Sequence, residues 1–188
     1  MIRNKNDLKA YLEEDRKALG ISWKHPRVLR DDIWRFEILL RKTEYSVNCK
    51  NGPFGKIQSN IYKMLLHRAS IRLGYSIPLN AFGKGLSLAH YGSVVVNHTA
   101  SIGDYCRIQE NTTIGATGGE SSSPTIGDYV FIGSGARIIG NIRIADGVVV
   151  GAGSVVVKDV LENNVTVAGV PAKIISNSGS EKFMQMKG

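Results

Sequence analysis

An aliphatic residue returns at every sixth position of this chain between Val96 and Val156, except at position 120, and the phase does not slip. The positions are Val96, Ile102, Ile108, Ile114, Ile126, Ile132, Ile138, Ile144, Val150 and Val156. A period of six over this length fits neither an α-helix nor the alternation of a flat strand. It fits a coil with three flat faces, in which each face takes one hexad and about 18 residues complete a turn. We therefore expect a mainly β chain, built as a parallel β-helix of hexapeptide repeats with the signature of the left-handed kind.

Composition sets the outer limits of this interpretation. The chain has 188 residues, and none of its apolar runs is long enough to cross a membrane. Its first residues lack the apolar region of a secretory signal, so we expect a cytoplasmic location. Cys49 and Cys106 provide neither a disulfide framework nor a metal-ligand spacing. Cys106 occupies a small-residue position of the hexads and is expected in the core.

The positive charge is concentrated at the front of the chain. The net charge is +8, and residues 1–75 hold 16 Lys and Arg against 8 Asp and Glu, whereas residues 76–188 hold 8 against 8. This excess allows a peripheral contact between the N-terminal part and a membrane surface or another anionic partner, although a solvated helical face is the simpler explanation. The basic residues are mixed with acids and accompany no nucleic-acid-binding motif, so we expect no nucleic acid partner.

Residues 1–75 are predicted to form a helical domain that covers the open first coil of the β-helix. One helix is expected from an Asp7 cap to Leu19, and a second opens at Asp31 and Asp32 with enough apolar residues for burial on two sides. Residues 51–55 are predicted as a turn. The third helix, residues 56–73, has a regular apolar face formed by Ile57, Ile61, Met64, Leu65 and Ile71. Residues 76–175 are assigned to the β-helix, and residues 176–188 to a mobile polar tail.

Two features interrupt the regular repeats, and they are the places where we expect chemistry. Residues 116–125 separate two hexads that stay in phase, and Glu120 falls where an inward aliphatic residue would be required. This segment must therefore leave the wall as a loop, a common carrier of binding function. The second feature is His90, because it and His98 are the only imidazoles predicted to lie on the prism.

Several motifs together resemble the hexapeptide-repeat acyltransferases, and most closely their serine acetyltransferase branch. They are LAHYGSVVVNHTASIG from Leu88, GSGARIIGNI from Gly133, GAGSVV from Gly151 and AGVPAK from Ala168. The resemblance covers about residues 76–175. It implies a homotrimer of left-handed β-helices, with acetyl-CoA in the groove between neighbouring prisms and no metal. It also implies direct acetyl transfer, with a histidine as the general base for the acceptor hydroxyl.

The resemblance assigns roles to individual residues. His90 matches the catalytic histidine, and Glu110, about one coil further along, is the candidate to orient its imidazole; Asn97 or a main-chain carbonyl is the alternative. Tyr91, Asn97 and His98 are assigned to the acceptor. The contacts carried over for acetyl-CoA are Gly115, Ala116, Gly133, Ser134, Gly151 and Ala152, with Lys158 and Lys173 near its phosphates.

Three departures from the serine enzymes bear on the acceptor. Ala89 stands where those enzymes have Asp before the histidine, no acid is present at Ser76, and Ser123 replaces a histidine of the loop. We therefore expect a saccharide hydroxyl as the acceptor, free or lipid-linked, as in similar short O-acetyltransferases that modify capsules, O-antigens or exopolysaccharides.

Four alternatives remain at this point. Acetylation of serine on its hydroxyl and N-acetylation of an amino sugar use the same base and co-substrate. A γ-type carbonic anhydrase has this prism but needs three zinc-binding histidines. A non-catalytic β-helix interaction module would bind no coenzyme A.

Overall fold

The computed structural model describes residues 1–118 and 121–184, in which three α-helices precede fourteen short strands and one 3₁₀ helix. The α-helices are α1 (Lys5–Ala18), α2 (Asp32–Cys49) and α3 (Gly52–Leu73), and the 3₁₀ helix is Ser180–Phe183. The strands are β1 (Tyr75–Ser76), β2 (Ser87–Leu88), β3 (Val94–Val96), β4 (Ser101–Ile102), β5 (Arg107–Ile108), β6 (Thr112–Gly115), β7 (Thr125–Ile126), β8 (Phe131–Ile132), β9 (Arg137–Ile139), β10 (Arg143–Ile144), β11 (Val149–Val150), β12 (Val155–Val156), β13 (Thr166–Gly169) and β14 (Ala172–Ser176).

The strands form the three faces of a triangular prism. The first sheet has the order β1-β3-β6-β9-β12, the second β4-β7-β10 and the third β2-β5-β8-β11-β13, with β14 added antiparallel at the end. All other pairs are parallel, and the hexad aliphatics align in register, as in the pairing of Ile108 with Ile132 and of Ile132 with Val150. These side chains are fully buried. The parallel β-helix predicted from the hexads is therefore confirmed.

The coils lie so close together at the corners that several positions accept only glycine. A Cβ added to Gly133 would lie 2.6 Å from the backbone nitrogen of Ala152 in the next coil. The corner between the second and third sheets is stabilised differently, since the amide of Asp104 donates to Asp128 and the amide of Asp128 donates to Asp146, each at 2.7 Å.

The buried guanidinium of Arg41 joins the helices to the first coil. Its Nη1 donates to the carbonyl of Phe82 at 3.1 Å and its Nη2 to that of Gly83 at 2.5 Å. The same group is paired with Asp15 at 2.7 Å and Glu44 at 3.0 Å. The open edge of a parallel sheet presents unpaired carbonyls and amides, which would otherwise recruit another chain. Side chains from the helical domain cover this edge, as expected.

Buried carboxylates of the helical domain accept hydrogen bonds from the free backbone amides of the first coil. The amide of Leu86 donates to Asp15 at 2.9 Å, that of Leu88 to Glu37 at 3.0 Å and that of Asn80 to Glu44 at 2.8 Å. Burial raises the pKa of the Glu37 carboxyl well above its ordinary value, and the nearby Asp15 carboxylate raises it further. Three buried acids therefore lie around one arginine, and of these Glu37 has no direct contact with the guanidinium.

The helices differ from their predicted form in several ways. The cap of α1 is Asn4, whose side chain accepts from the amides of Asn6 and Asp7. Helix α3 begins at Gly52, so the predicted turn at residues 51–55 is wrong; Pro53 fits the first turn of a helix, where no amide donor is needed. The apolar residues that recur at helical spacing in α3 are not the ones that pack against the rest of the molecule. The residues that are buried are Gly55, Ser59, Leu66 and Leu73, whereas Ile57, Ile61, Met64, Leu65 and Ile71 are exposed.

The C-terminal residues pack against the prism as far as they are described. The amide of Ser180 donates to the carbonyl of Gly147 at 2.9 Å, and the ring of Phe183 stacks on Phe131 with centroids 4.6 Å apart. The prediction of a mobile tail is therefore wrong for residues 176–184, while residues 185–188 and Glu120 lie outside the described residues. In the described part of the chain, no helix is both long and apolar enough to span a bilayer.

Replacing Arg41 with Met should destabilise the protein by about 3–5 kcal/mol, because the acids and carbonyls around it would lose their partner while still buried. The neighbouring Lys42 is exposed, and Lys42→Met should change stability by no more than about 0.5 kcal/mol. The free energy of unfolding in urea measures both. Equal effects of the two substitutions would contradict the role of Arg41.

Replacing Glu37 with Gln should remove a pH-dependent loss of stability. Because the pKa of Glu37 is raised in the folded state, its contribution is fully present below the unfolded pKa and is lost as the pH rises toward the folded pKa. Glu37→Gln keeps the oxygen that accepts from Leu88 and does not ionise. Its stability relative to the unmodified protein should increase from about pH 5 to about pH 8, measured by urea unfolding at each pH. A difference that does not change with pH would contradict a raised pKa.

Candidate active site

One corner of the prism brings together six of the residues that the sequence assigned to catalysis and cofactor binding. We call this corner, between the third sheet and the first, the corner stack; it consists of residues 90–92, 109–111, 133–135 and 151–153. The amide of Gly135 donates to the carbonyl of Glu110 at 3.0 Å, and that of Gly153 to the carbonyl of Ser134 at 2.8 Å. Successive turns therefore lie directly on one another. The six residues are His90, Glu110, Gly133, Ser134, Gly151 and Ala152.

His90 has an exposed side chain on an anchored backbone. Its carbonyl accepts a hydrogen bond of 2.8 Å from the hydroxyl of Tyr75, and the amide of Ala89 donates to Ile108 in the next coil at 3.0 Å. Tyr75 is itself buried and packs edge-on against Phe36, with ring centroids 4.9 Å apart. Burial raises the pKa of the Tyr75 hydroxyl, so it remains a donor. The imidazole is thus free to meet a ligand while its backbone is fixed.

Glu110 places an ionised carboxylate near that imidazole. The hydroxyl of Ser134 donates to Glu110 Oε1 at 2.5 Å. This hydrogen bond lowers the pKa of the Glu110 carboxyl, and the nearby His90 acts in the same direction. Glu110 Oε2 is shielded from solvent and has no hydrogen-bond partner among the described residues. The close approach requires glycine at position 92, where φ is 135° and an added Cβ would lie 3.1 Å from the Cβ of Glu110.

A cavity of about 230 Å³ lies beside His90, between the helical domain and the prism. Its lining includes Arg30, Trp34, Ala89, His90 and Tyr91. The indole nitrogen of Trp34 is buried and has no acceptor among the described residues. Arg30 is exposed and forms no ion pair within that part of the chain.

The acid next to Arg30 in the sequence, Asp31, is already paired with other side chains. Asp31 accepts from Arg27 and from the indole nitrogen of Trp23, at 2.9 Å for the latter. The hydrogen bond from Arg27 lowers the pKa of Asp31 to about 2. The cavity therefore offers the guanidinium of Arg30 to an anionic group.

The remaining predicted residues lie elsewhere on the prism. At the other edge of the first sheet, Gly115 ends β6, and Asn97, His98, Ala116 and Lys158 come shortly after strands of that sheet. Lys173 is exposed on β14. The side-chain oxygen of Asn97 accepts from the amide and the hydroxyl of Thr99, at 3.0 and 3.1 Å. Asn97 is therefore not the partner of His90 within one chain, and Glu110 is the side chain close to it.

Asn97 and His98 instead line a second cavity of about 730 Å³. Helix α3 contributes His67 and Ile71 to this cavity, and the segment around β1 completes it. The loop that begins at residue 116 returns next to it, because the hydroxyl of Thr99 donates to Ser123 at 2.9 Å. This edge of the first sheet thus collects the loop and two of the three predicted acceptor residues, Asn97 and His98, away from the corner stack.

Sequence reasoning missed Tyr75, Arg30 and Trp34. A signal existed for Tyr75, since it lies next to Ser76, where the family resemblance places an acid that acts on the histidine. No local pattern distinguishes Arg30 from the other exposed cations of the helical part. Among the described residues, no group of three His, Cys, Asp or Glu side chains is arranged to hold a metal ion.

Comparison with known proteins identifies relatives along most of the chain. The model of the bacterial transferase hexapeptide family (six repeats) matches residues 123–158. A serine acetyltransferase of Synechococcus elongatus is 40% identical over 122 residues, which are 63% of this chain and 50% of that protein. One from Buchnera aphidicola is 39% identical over 137 residues, or 71% and 49% of the two proteins. The chain thus spans about half the length of these curated relatives.

Solved structures extend the similarity to the helical domain. The serine acetyltransferase of Brucella abortus in complex with coenzyme A has a TM-score of 0.72 and 30% identity, covering 93% of this chain and 70% of that one. That of Neisseria gonorrhoeae in complex with serine has a TM-score of 0.67 and 29% identity, covering 90% and 69%.

These relatives overturn the saccharide acceptor expected from the sequence. That expectation rested on the missing side chains at Ser76, Ala89 and Ser123, and it is wrong: the similar proteins are serine acetyltransferases in both comparisons. The resemblance to polysaccharide-modifying enzymes is likewise not supported. A few local replacements in an acceptor site alter its contacts but do not outweigh similarity that runs through both the helices and the prism.

The fold expected from the hexads, a left-handed β-helix preceded by a small helical domain, is the fold of these neighbours. Similarity that covers 93% of this chain and 70% of the Brucella protein is too extensive to reflect the repeats alone. The chain belongs to the hexapeptide-repeat transferase family and has a serine acetyltransferase-like fold.

Proposed function

We propose that this protein transfers the acetyl group of acetyl-CoA to the hydroxyl of serine, with His90 as the general base. The observation that carries the proposal is the corner stack, where an exposed imidazole lies near the ionised Glu110 carboxylate. The relatives support both substrates, since they are named serine acetyltransferases and solved examples contain coenzyme A or serine.

His90 supplies what the hydroxyl lacks as a nucleophile. The imidazole takes the hydroxyl proton while the oxygen forms a bond to the thioester carbonyl carbon. As the carbon–sulfur bond then breaks, the imidazolium returns that proton to the sulfur. Such general-base assistance contributes about 10²- to 10⁴-fold in rate. The charge of Glu110 stabilises the imidazolium between the two transfers, and Ser134 holds the carboxylate in place.

Small residues along the corner stack fit a long, thin co-substrate. Ala152 and Gly153 are exposed, and a Cβ added to Gly153 would meet no atom within 4 Å. The pantetheine arm of acetyl-CoA can therefore approach the backbone between Ser134 and Ala152. Exposed lysines such as Lys158 and Lys173 would meet the phosphates.

A homotrimer explains why the predicted residues occupy both edges of the first sheet. Asn97, His98, Gly115 and Ala116 are remote from His90 within one chain, but a groove between two prisms can pair the corner stack of one copy with the other edge of its neighbour. This arrangement keeps the assigned cofactor contacts of Gly115 and Ala116 and the acceptor contacts of His98 in the same reaction site.

The cavity beside His90 is the proposed place for serine. Its volume of about 230 Å³ suits a single amino acid, and Arg30 offers a guanidinium to the carboxylate of serine. Ala89 lines the cavity at the place where the serine enzymes have an acid. Recognition therefore rests on the carboxylate end of the acceptor, and Arg30→Ala should raise the KM for serine more than that for acetyl-CoA.

Replacing His90 with Ala should lower kcat for serine acetylation by at least about 10²-fold. Release of free thiol from acetyl-CoA in the presence of L-serine measures the rate. His25, which lies between α1 and α2 away from the corner stack, provides the matched control, and His25→Ala should leave the rate unchanged. Activity that survives in the His90 variant would exclude this mechanism, and a chain that neither turns over nor binds coenzyme A would be a non-catalytic module.

Replacing Glu110 with Gln should lower kcat by about tenfold or more. Glutamine has nearly the same shape as glutamate, but it removes the negative charge near the imidazolium. Ser134→Ala should have a smaller effect on kcat, since the carboxylate remains but is less well fixed. Steady-state kinetics with both substrates separates these effects from changes in KM. A Glu110→Gln variant with unchanged kcat would show that the carboxylate does not assist His90.

A further inference from the structure

Helix α3 exposes a continuous apolar face. Phe54 and Ile57 have exposed fractions of 87% and 57%, and Ile61, Met64 and Leu65 follow them, also exposed. Their spacing of three or four residues places them on one side of the helix. That side is opposite the buried residues Ser59 and Leu66, so it points away from the rest of the molecule. Isolated exposed aliphatics are ordinary, but a stripe over several turns of one helix marks a contact surface.

All charged residues of the same helix are basic. Within Gly52–Leu73 there are four cations, Lys56, Lys63, Arg68 and Arg72, and no Asp or Glu. Arg72 is paired with Asp32 of α2 at 2.7 Å, whereas the other three cations form no ion pair among the described residues. An apolar stripe with unpaired cations beside it is the composition of a helix that lies in the surface of an anionic bilayer.

Burial of acids makes the surface around α3 more cationic than the composition indicates. Of the eight acids in residues 1–75, four are buried, namely Asp15, Asp31, Glu37 and Glu44. Of the sixteen Lys and Arg, only Arg41 is buried. The helical domain therefore presents fifteen cations and four acids outside its buried interior, and none of those acids belongs to α3.

We propose that the outer face of α3 docks on a membrane surface that contains anionic lipid. The helix lies in the plane of the interface, with the stripe from Phe54 to Leu65 among the upper acyl chains and with Lys56 and Lys63 near the headgroups. The apolar side chains gain by leaving water, and each cation near the surface gains from the negative potential of the lipid. This inference does not depend on the acetyltransferase activity.

The α3 helix of a second copy is a poorer occupant for this face. If α3 packed against α3 of another copy around a two-fold axis, the unpaired Lys56, Lys63 and Arg68 of one helix would approach cations of the other. No acid on either helix could compensate them, and like charges at short distance are unfavourable. A bilayer with anionic headgroups supplies the missing countercharge over the whole length of the helix.

Co-sedimentation with lipid vesicles tests the proposal with the complete chain. We expect binding to vesicles of phosphatidylcholine with about 30% phosphatidylglycerol, and little binding to phosphatidylcholine alone. Binding should weaken between about 0.1 and about 0.5 M salt, where charges are increasingly screened. Equal binding to both kinds of vesicle, or no binding, overturns the proposal.

Two double variants locate the contact on α3. Ile57→Ser with Ile61→Ser should lower the partition coefficient by at least about tenfold, while the matched pair Val157→Ser with Leu161→Ser, exposed on the prism, should not change it. Lys56→Gln with Lys63→Gln should lower the coefficient by about 30-fold, and by more than Lys5→Gln with Lys9→Gln, which removes the same charge from α1. Equal losses within either pair of variants would overturn the assignment to α3.

Light scattering tests whether a second copy of the chain, rather than a membrane, covers this face. All four substituted positions on α3 are exposed, so circular dichroism and melting should show folded proteins with unchanged molar mass. A lower molar mass for the Ile57→Ser, Ile61→Ser protein would show that another copy covers this face, and the membrane proposal would then be wrong.

Discussion

The buried guanidinium of Arg41 is the interaction on which the two halves of the molecule depend. A β-helix cannot pair the first edge of its own first coil, and a short helical domain cannot bury enough surface to be stable alone. Arg41 and the acids Asp15, Glu37 and Glu44 solve both problems. Arg41 pairs with Asp15 and Glu44, and all four side chains accept from or donate to the free amides and carbonyls of that coil. The helices are therefore part of the prism rather than an appendage to it.

The same set of contacts reaches the candidate active site. Glu37 accepts from the amide of Leu88, two residues before His90, and Tyr75, which packs on Phe36 of α2, donates to the carbonyl of His90. The segment that presents the imidazole is thus held from the helical side, whereas Glu110 approaches from the next coil. A rigid backbone with an exposed imidazole is what a general base requires, since the side chain can meet the substrate without the main chain moving.

Burying the acids also shapes the outer surface of the molecule. Four acids that could balance the basic residues of the helical domain are buried in the interior, whereas Arg41 is the only Lys or Arg of that domain that is buried with them. The exterior is left with an excess of Lys and Arg, and α3 carries it together with an exposed apolar stripe. One structural requirement, covering the first coil, thereby produces a surface with the chemistry of a membrane contact.

The hexads of this sequence by themselves determined the prism, because a six-residue period is a local and repeated signal: each inward residue, such as Ile132 or Ile138, is specified by its own repeat. The family motifs likewise led to His90 and to the stacked small residues around Ser134. What only the tertiary structure decided concerns contacts between distant segments. The apolar period of α3 predicted a helix correctly but could not say whether Ile57 and Ile61 would find a partner. A buried charged cluster and a tyrosine that holds His90 leave no periodic trace, because each contact joins residues that are far apart in the chain and becomes possible only when the coils close.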